Sequence, residues 1–99
     1  MVKKIIWSQK AQDDRRQILE YWRNRNKSTT YSKKLDQKFR EALKIIQAYP
    51  QIGRQTDDHQ ARIKIVKDYL LIYEETKDSI ILLTIWDSRQ DPKNLEKSL

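Results

Sequence analysis

From Thr30 to Tyr49 the apolar side chains Tyr31, Leu35, Phe39, Ala42, Leu43, Ile46 and Tyr49 recur almost entirely at steps of three and four residues. That spacing stacks them on one face of a helix. Pro50 and Gly53, in Tyr49-Pro50-Gln51-Ile52-Gly53-Arg54, then stop it. A long one-sided helix needs a partner, because its apolar stripe is stable only when laid on another apolar surface. Most of the surrounding sequence reads as supplying one.

Upstream, Val2–Ser8 carries Ile5, Ile6 and Trp7 and reads as a short strand, with Ser8 placed to cap the next element. In Ala11–Arg25 the residues Ala11, Ile18, Leu19 and Trp22 share one helical face, and the polar stretch Asn24–Thr29 separates the two helices. Downstream come three strand-like runs, Arg62–Val66, Tyr69–Glu75 and Ser79–Trp86. The first alternates, with Ile63 and Ile65 on one face and Arg62 and Lys64 on the other. Within the other two, Tyr69–Tyr73 and Ile80–Trp86 are nearly continuous apolar runs, the pattern of interior strands covered on both sides. Glu75-Thr76-Lys77-Asp78 reads as their hairpin turn. The expected fold is α+β in the order β-α-α-β-β-β, a helical hairpin on one face of a small, mainly antiparallel sheet. Strand order does not follow from the sequence.

The chain has 99 residues, which predicts one domain over 1–99 with a core near the practical minimum. It has no cysteine, so no disulfide framework or Cys-ligated zinc is available, in keeping with a reducing cytosol. Ile5-Ile6-Trp7 is too short for a signal-peptide core, and Ile80–Ile85 too short to span a bilayer. A cytoplasmic protein with no membrane partner is expected. The net charge is +7, and its distribution is uneven. Residues 1–50 hold 13 Lys/Arg against 5 Asp/Glu, whereas residues 51–99 hold 8 against 9. The positive field therefore belongs to the helical half. It favours nucleic acid, the ribosome or an acidic protein, or serves as a solvated surface that keeps a small protein in solution.

Several motifs, taken together, carry a family resemblance. They are the strand ending near Trp7, then Ala11-x-x-Asp14, Ile18 and Tyr21, and the helix end Tyr49-Pro50-x-Ile52-Gly53-Arg54. They continue with Arg62-x-Lys64-x-Val66, Asp68-Tyr69, Leu71-Ile72-Tyr73-Glu74 and the tail Arg89-x-Asp91-Pro92. In order and spacing the chain resembles the RelE/ParE superfamily of type II toxin–antitoxin toxins. The resemblance implies a growth inhibitor, often associated with plasmid stabilisation, that a cognate antitoxin neutralises. RelE-like members enter the ribosome and cut mRNA without a metal; ParE-like members share the fold and block DNA gyrase. No cofactor is implied by either branch.

For the RelE-like branch the resemblance puts Arg62, Lys64 and Arg89 at catalytic positions, and Arg54, Arg62, Lys64, Lys67 and Arg89 against nucleic acid. Metal-free RNA cleavage needs a base, cations for the phosphorane and an acid for the leaving oxygen. Here Leu70 stands where RelE-like chains carry an arginine, and Leu95 roughly where they carry a tyrosine. An arginine is also a poor proton acceptor at neutral pH. What is left is a half-site, able to hold a phosphate but lacking the acid. The alternative is that Arg62 and Lys64 form the solvated face of an edge strand. The missing arginine and tyrosine, together with the long helical hairpin, favour the ParE-like branch, and the incomplete half-site leaves open a non-toxic relative that still binds antitoxin. The antitoxin is expected to lay an acidic or amphipathic segment over the helices or sheet.

Other features weigh less. His59, in Asp57-Asp58-His59-Gln60, reads as a surface loop rather than a metal ligand. Asp13 and Asp14 point about 100° apart and read as complements to the helix dipole. Trp22, Trp86, Tyr69 and Tyr73 are expected in the core rather than stacked on bases.

Overall fold

In the computed structural model, which describes residues 2–57 and 60–89, the chain runs β1 (Lys4–Trp7), α1 (Gln9–Asn26), α2 (Thr30–Ala48), β2 (Arg54–Gln55), β3 (Arg62–Val66), β4 (Tyr69–Glu75) and β5 (Ser79–Asp87). The α+β architecture and the helical hairpin on one sheet face are as expected. β2, only two residues long, is additional to the expected order; Arg54-Gln55 carries no strand pattern of its own.

Ser8 makes the first corner. Its backbone is extended, and its hydroxyl accepts from the Ala11 amide at 3.0 Å while donating to the Leu83 carbonyl at 2.7 Å. One side chain thus caps α1 and fastens that end to the sheet. α1 stops at Lys27, which takes a left-handed conformation (φ 50°, ψ 34°), and the Arg23 carbonyl accepts from the amides of both Lys27 and Ser28. α2 buries Leu35, Phe39, Ala42, Leu43 and Ile46, all from the predicted stripe; Tyr49 at its end stays 68% exposed.

The strands form one sheet in the order β1-β5-β4-β3-β2, with β1 parallel to β5 and the other pairs antiparallel. Tyr69, Leu71 and Tyr73 of β4 and Ile80, Leu82 and Ile85 of β5 join the α2 stripe and Ala11 in one core. The Phe39 ring meets Tyr69 edge-on at 5.7 Å. Between Ile72 and Tyr73 the register slips, leaving Leu83 as an extra residue on β5. At this bulge the Thr84 hydroxyl donates to Asp14 Oδ2 on α1, which also accepts from the Ile85 amide at 3.2 Å.

The helices pack on the face of Tyr69, Leu71 and Tyr73, and Ile72 on the opposite face of β4 is fully buried as well. Three expectations are corrected. Trp86 pairs with Leu70 on the far face and is half-buried, outside the core. Asp13 and Asp14 lie beyond the first turn of α1; Asp13 pairs with Arg16 and Asp14 ties α1 to β5. In β3 the faces are reversed from apolar-inward. Arg62 and Lys64 stand opposite Tyr73 and Leu71 on the helix side, whereas Ile65 faces away and is 68% exposed. The sheet-ward position of two cations is possible because β3 lies near the rim, where long basic side chains can run their stems over the core and keep their heads in water.

Candidate functional site

Two regions gather functional side chains. The first is the turn that follows α2. Its backbone is held from the sheet, where the Tyr73 hydroxyl accepts from the Gly53 amide at 3.0 Å and donates to the Pro50 carbonyl at 2.8 Å. Gly53 is required by this contact, since a Cβ there would stand 2.6 Å from the Tyr73 hydroxyl. Burial pushes the Tyr73 phenol above its ordinary value. Arg62 completes the clamp, donating through one nitrogen to the carbonyls of Gly53 at 2.8 Å and Gln51 at 3.2 Å.

The predicted basic residues therefore have different surroundings. Arg62 is occupied with the turn. Lys64, two residues on and on the same face, is half-buried, with no hydrogen bond or ion pair on its ammonium among the described residues. Arg54 is exposed beside Gly53, and Lys67 sits at the tip of the β3–β4 hairpin with a left-handed φ of 57°. Arg89 lies past the other end of the sheet. Its guanidinium grips Asp87 at 2.7 and 2.9 Å and lies 5.9 Å from the Trp22 ring centre. That pair raises the Arg89 pKa and holds the Asp87 carboxyl below the usual carboxylate range. Strand rise and spacing separate the Cα atoms of Arg62 and Asp87 by about 16 Å. Arg62 and Lys64 are neighbours, and Arg89 lies two strands away beside Asp87, whose Cα is about 12 Å from that of Lys64 by the same count. His59 and the tail beyond Arg89, including Asp91, Pro92 and Leu95, lie outside the described residues.

The second region is a groove of about 1,120 Å³ between α1 and α2, closed below by β1. Ile5, Trp7, Leu19 and Leu43 give it an apolar floor, and Arg16, Arg23, Lys33 and Lys44 are among its lining side chains. Arg15 crosses from α1 to Asp36 on α2 with a two-pronged pair at 2.6 and 2.8 Å, and Arg40 adds a third contact at 3.1 Å. The Arg15 guanidinium, followed by Arg40, holds the Asp36 carboxyl below its ordinary value against the opposing effect of burial. A channel with an apolar floor and cationic walls suits an amphipathic, acidic helix or extended segment. Sequence reasoning located the charge on the helical half but not the groove. Its one legible sign was the basic excess, because which faces of α1 and α2 diverge depends on the hairpin angle.

A family model described as the ParE toxin of type II toxin–antitoxin systems, parDE, matches residues 5–92. No curated protein matches the chain. Among solved structures, a chain from the chromosomal ParDE toxin–antitoxin system of P. aeruginosa aligns with a TM-score of 0.74 at 19% identity, over 87% of this chain and 96% of that one. At that identity the likeness is one of fold.

Proposed function

The chain belongs to the ParE toxin family of type II toxin–antitoxin systems, and from that membership we propose a growth inhibitor that binds and blocks DNA gyrase in the cytoplasm. A cognate antitoxin neutralises it by laying an acidic amphipathic segment in the groove between α1 and α2. The observation that carries the choice of target is the dispersal of the basic residues. A metal-free nuclease needs its cations around one phosphate. Here Arg62 is committed to the carbonyls of Gln51 and Gly53, and Arg89 to Asp87 about 16 Å away along the sheet. Of these three, Lys64 alone has no partner among the described residues, and one lysine supplies neither the acid nor the paired cations that RNA cleavage demands. A binding protein needs none of that convergence.

Pulse-labelling after induction of the free chain in bacterial cells tests the proposal. DNA synthesis stopping while translation continues is the expected result, with purified gyrase losing supercoiling activity in the presence of the protein. Translation stopping first assigns the chain instead to ribosome-dependent mRNA cleavage through Arg62, Lys64 and Arg89. Unimpeded growth makes it a non-toxic antitoxin-binding relative.

A further inference from the structure

A second docking surface lies across α2 from the groove. Leu43 and Gln47 line the groove; Ile45 and Tyr49, each two residues further on, point about 200° away from them. The Tyr49 amide donates to the Ile45 carbonyl at 2.8 Å and the Ile52 amide to the Tyr49 carbonyl at 3.0 Å, so these three side chains belong to one turn of structure. All three are exposed, Tyr49 at 68%, Ile52 at 48% and Ile45 at 42%. Nothing in the core needs them there, and Tyr49 is the one member of the α2 apolar stripe left outside.

Their neighbours are cationic. Arg54 follows Gly53 directly, Arg62 holds the turn from beneath, and Lys64 comes next on the same face of β3. Glu41, a turn before Ile45, accepts from Gln37 at 3.2 Å. The combination is an aromatic ring and two isoleucines at a turn that Arg62 grips and Arg54 follows, with Lys64 two residues beyond Arg62 on the same face of β3. Tyrosine and arginine are the residue types that carry binding energy at the centre of protein interfaces. The turn is also rigid, since Tyr73 and Arg62 fix its backbone before any partner arrives, and a pre-organised surface loses less entropy on binding.

We infer that this patch at the end of α2 is where the chain grips its protein target, and that the target presents an acidic rim around an apolar anchor. The inference rests on the reading above that the chain acts by gripping a protein. Charge complementarity selects an acidic partner. The position on α2 opposite the groove leaves the antitoxin segment its own surface, so the two interactions are separable.

The test uses the full chain, induced in bacterial cells to a graded series of levels, each read by immunoblot. Ile45→Glu with Tyr49→Glu is expected to need at least about tenfold more protein for the same growth arrest, and Arg54→Glu a smaller increase. Lys77→Glu, on the β4–β5 turn, serves as the control and arrests at the wild-type level. Thermal unfolding reports whether each variant is folded, and Tyr49→Ala, which adds no charge, covers the case in which the double variant is not. Co-purification of the cognate antitoxin is expected to be unchanged by Tyr49→Ala. Arrest by Tyr49→Ala or by the folded double variant at wild-type levels overturns the inference alone. Loss of antitoxin binding along with arrest also overturns it, because the patch then belongs to the antitoxin. A wild-type chain that does not arrest growth overturns the proposed function, and the inference with it.

Discussion

Tyr73 shows how much one hydroxyl can organise. Its ring is fully buried, yet its oxygen serves both the Gly53 amide and the Pro50 carbonyl of a surface turn. Tyr73→Phe leaves both groups without that partner while keeping the ring, so the cost is that of unsatisfied polar atoms rather than of a cavity. We expect a loss of about 1–3 kcal/mol in urea unfolding. An unchanged midpoint would mean that water replaces the hydroxyl at no cost. Lys27 makes the opposite case. At φ 50° it occupies a left-handed position at the end of α1 where a Cβ is strained. Lys27→Gly relieves that strain and should stabilise the fold by roughly 0.5–1 kcal/mol, read as a higher urea midpoint.

Between elements, the decisive contacts are those that join α1 to its neighbours. Asp14 reaches the β5 bulge and accepts from the Thr84 hydroxyl and the Ile85 amide. Asp14→Ala should cost about 2 kcal/mol, and a cycle with Thr84→Val should give less than the sum of the single effects, since both remove one shared bond. Asp36 joins α1 to α2 through Arg15. Its folded pKa is depressed, so the stability it contributes is present above the unfolded carboxylate value of about 3.9 and is lost as pH falls through the lower folded value. Asp36→Asn should therefore cost about 1 kcal/mol at pH 7 and progressively less as pH falls below the unfolded carboxylate value, with a flatter acid limb in the stability profile. The sequence made some of these elements legible and not others. β3 and β4 were bounded by turn residues and apolar runs, and Ser8 announced its cap, because those signals act over three or four residues. β2, the Leu83 bulge and the inward turn of Arg62 and Lys64 left no local trace. They are set by pairing with other elements: β2 with β3, Arg62 and Lys64 with Tyr73 and Leu71 of β4, and Thr84 at the bulge with Asp14 seventy positions back. Of the candidate site, Arg62 and Lys64 as same-face neighbours could be read from period-two spacing, while the separation of Arg89 depended on strand order.

At the scale of the whole molecule the charge distribution governs how partners arrive. The +8 excess of residues 1–50 follows from 13 basic and 5 acidic side chains, and members of it line the groove proposed for the antitoxin. Such a field acts over about a Debye length, roughly 10 Å at 0.1 M salt and 3 Å at 1 M. It therefore bears on encounter more than on the finished complex, where the apolar floor of Ile5, Trp7, Leu19 and Leu43 does the holding. The expected consequence is a split in the kinetics. Raising salt from about 0.05 M to about 0.5 M should slow antitoxin association by roughly tenfold or more, while dissociation changes little. Stopped-flow mixing of the full chain with its antitoxin separates the two rates. If salt instead accelerates dissociation and leaves association alone, the groove holds its partner through ion pairs rather than through its apolar floor. Substitutions such as Arg23→Glu would then weaken the finished complex, where steering alone predicts that they slow only its formation.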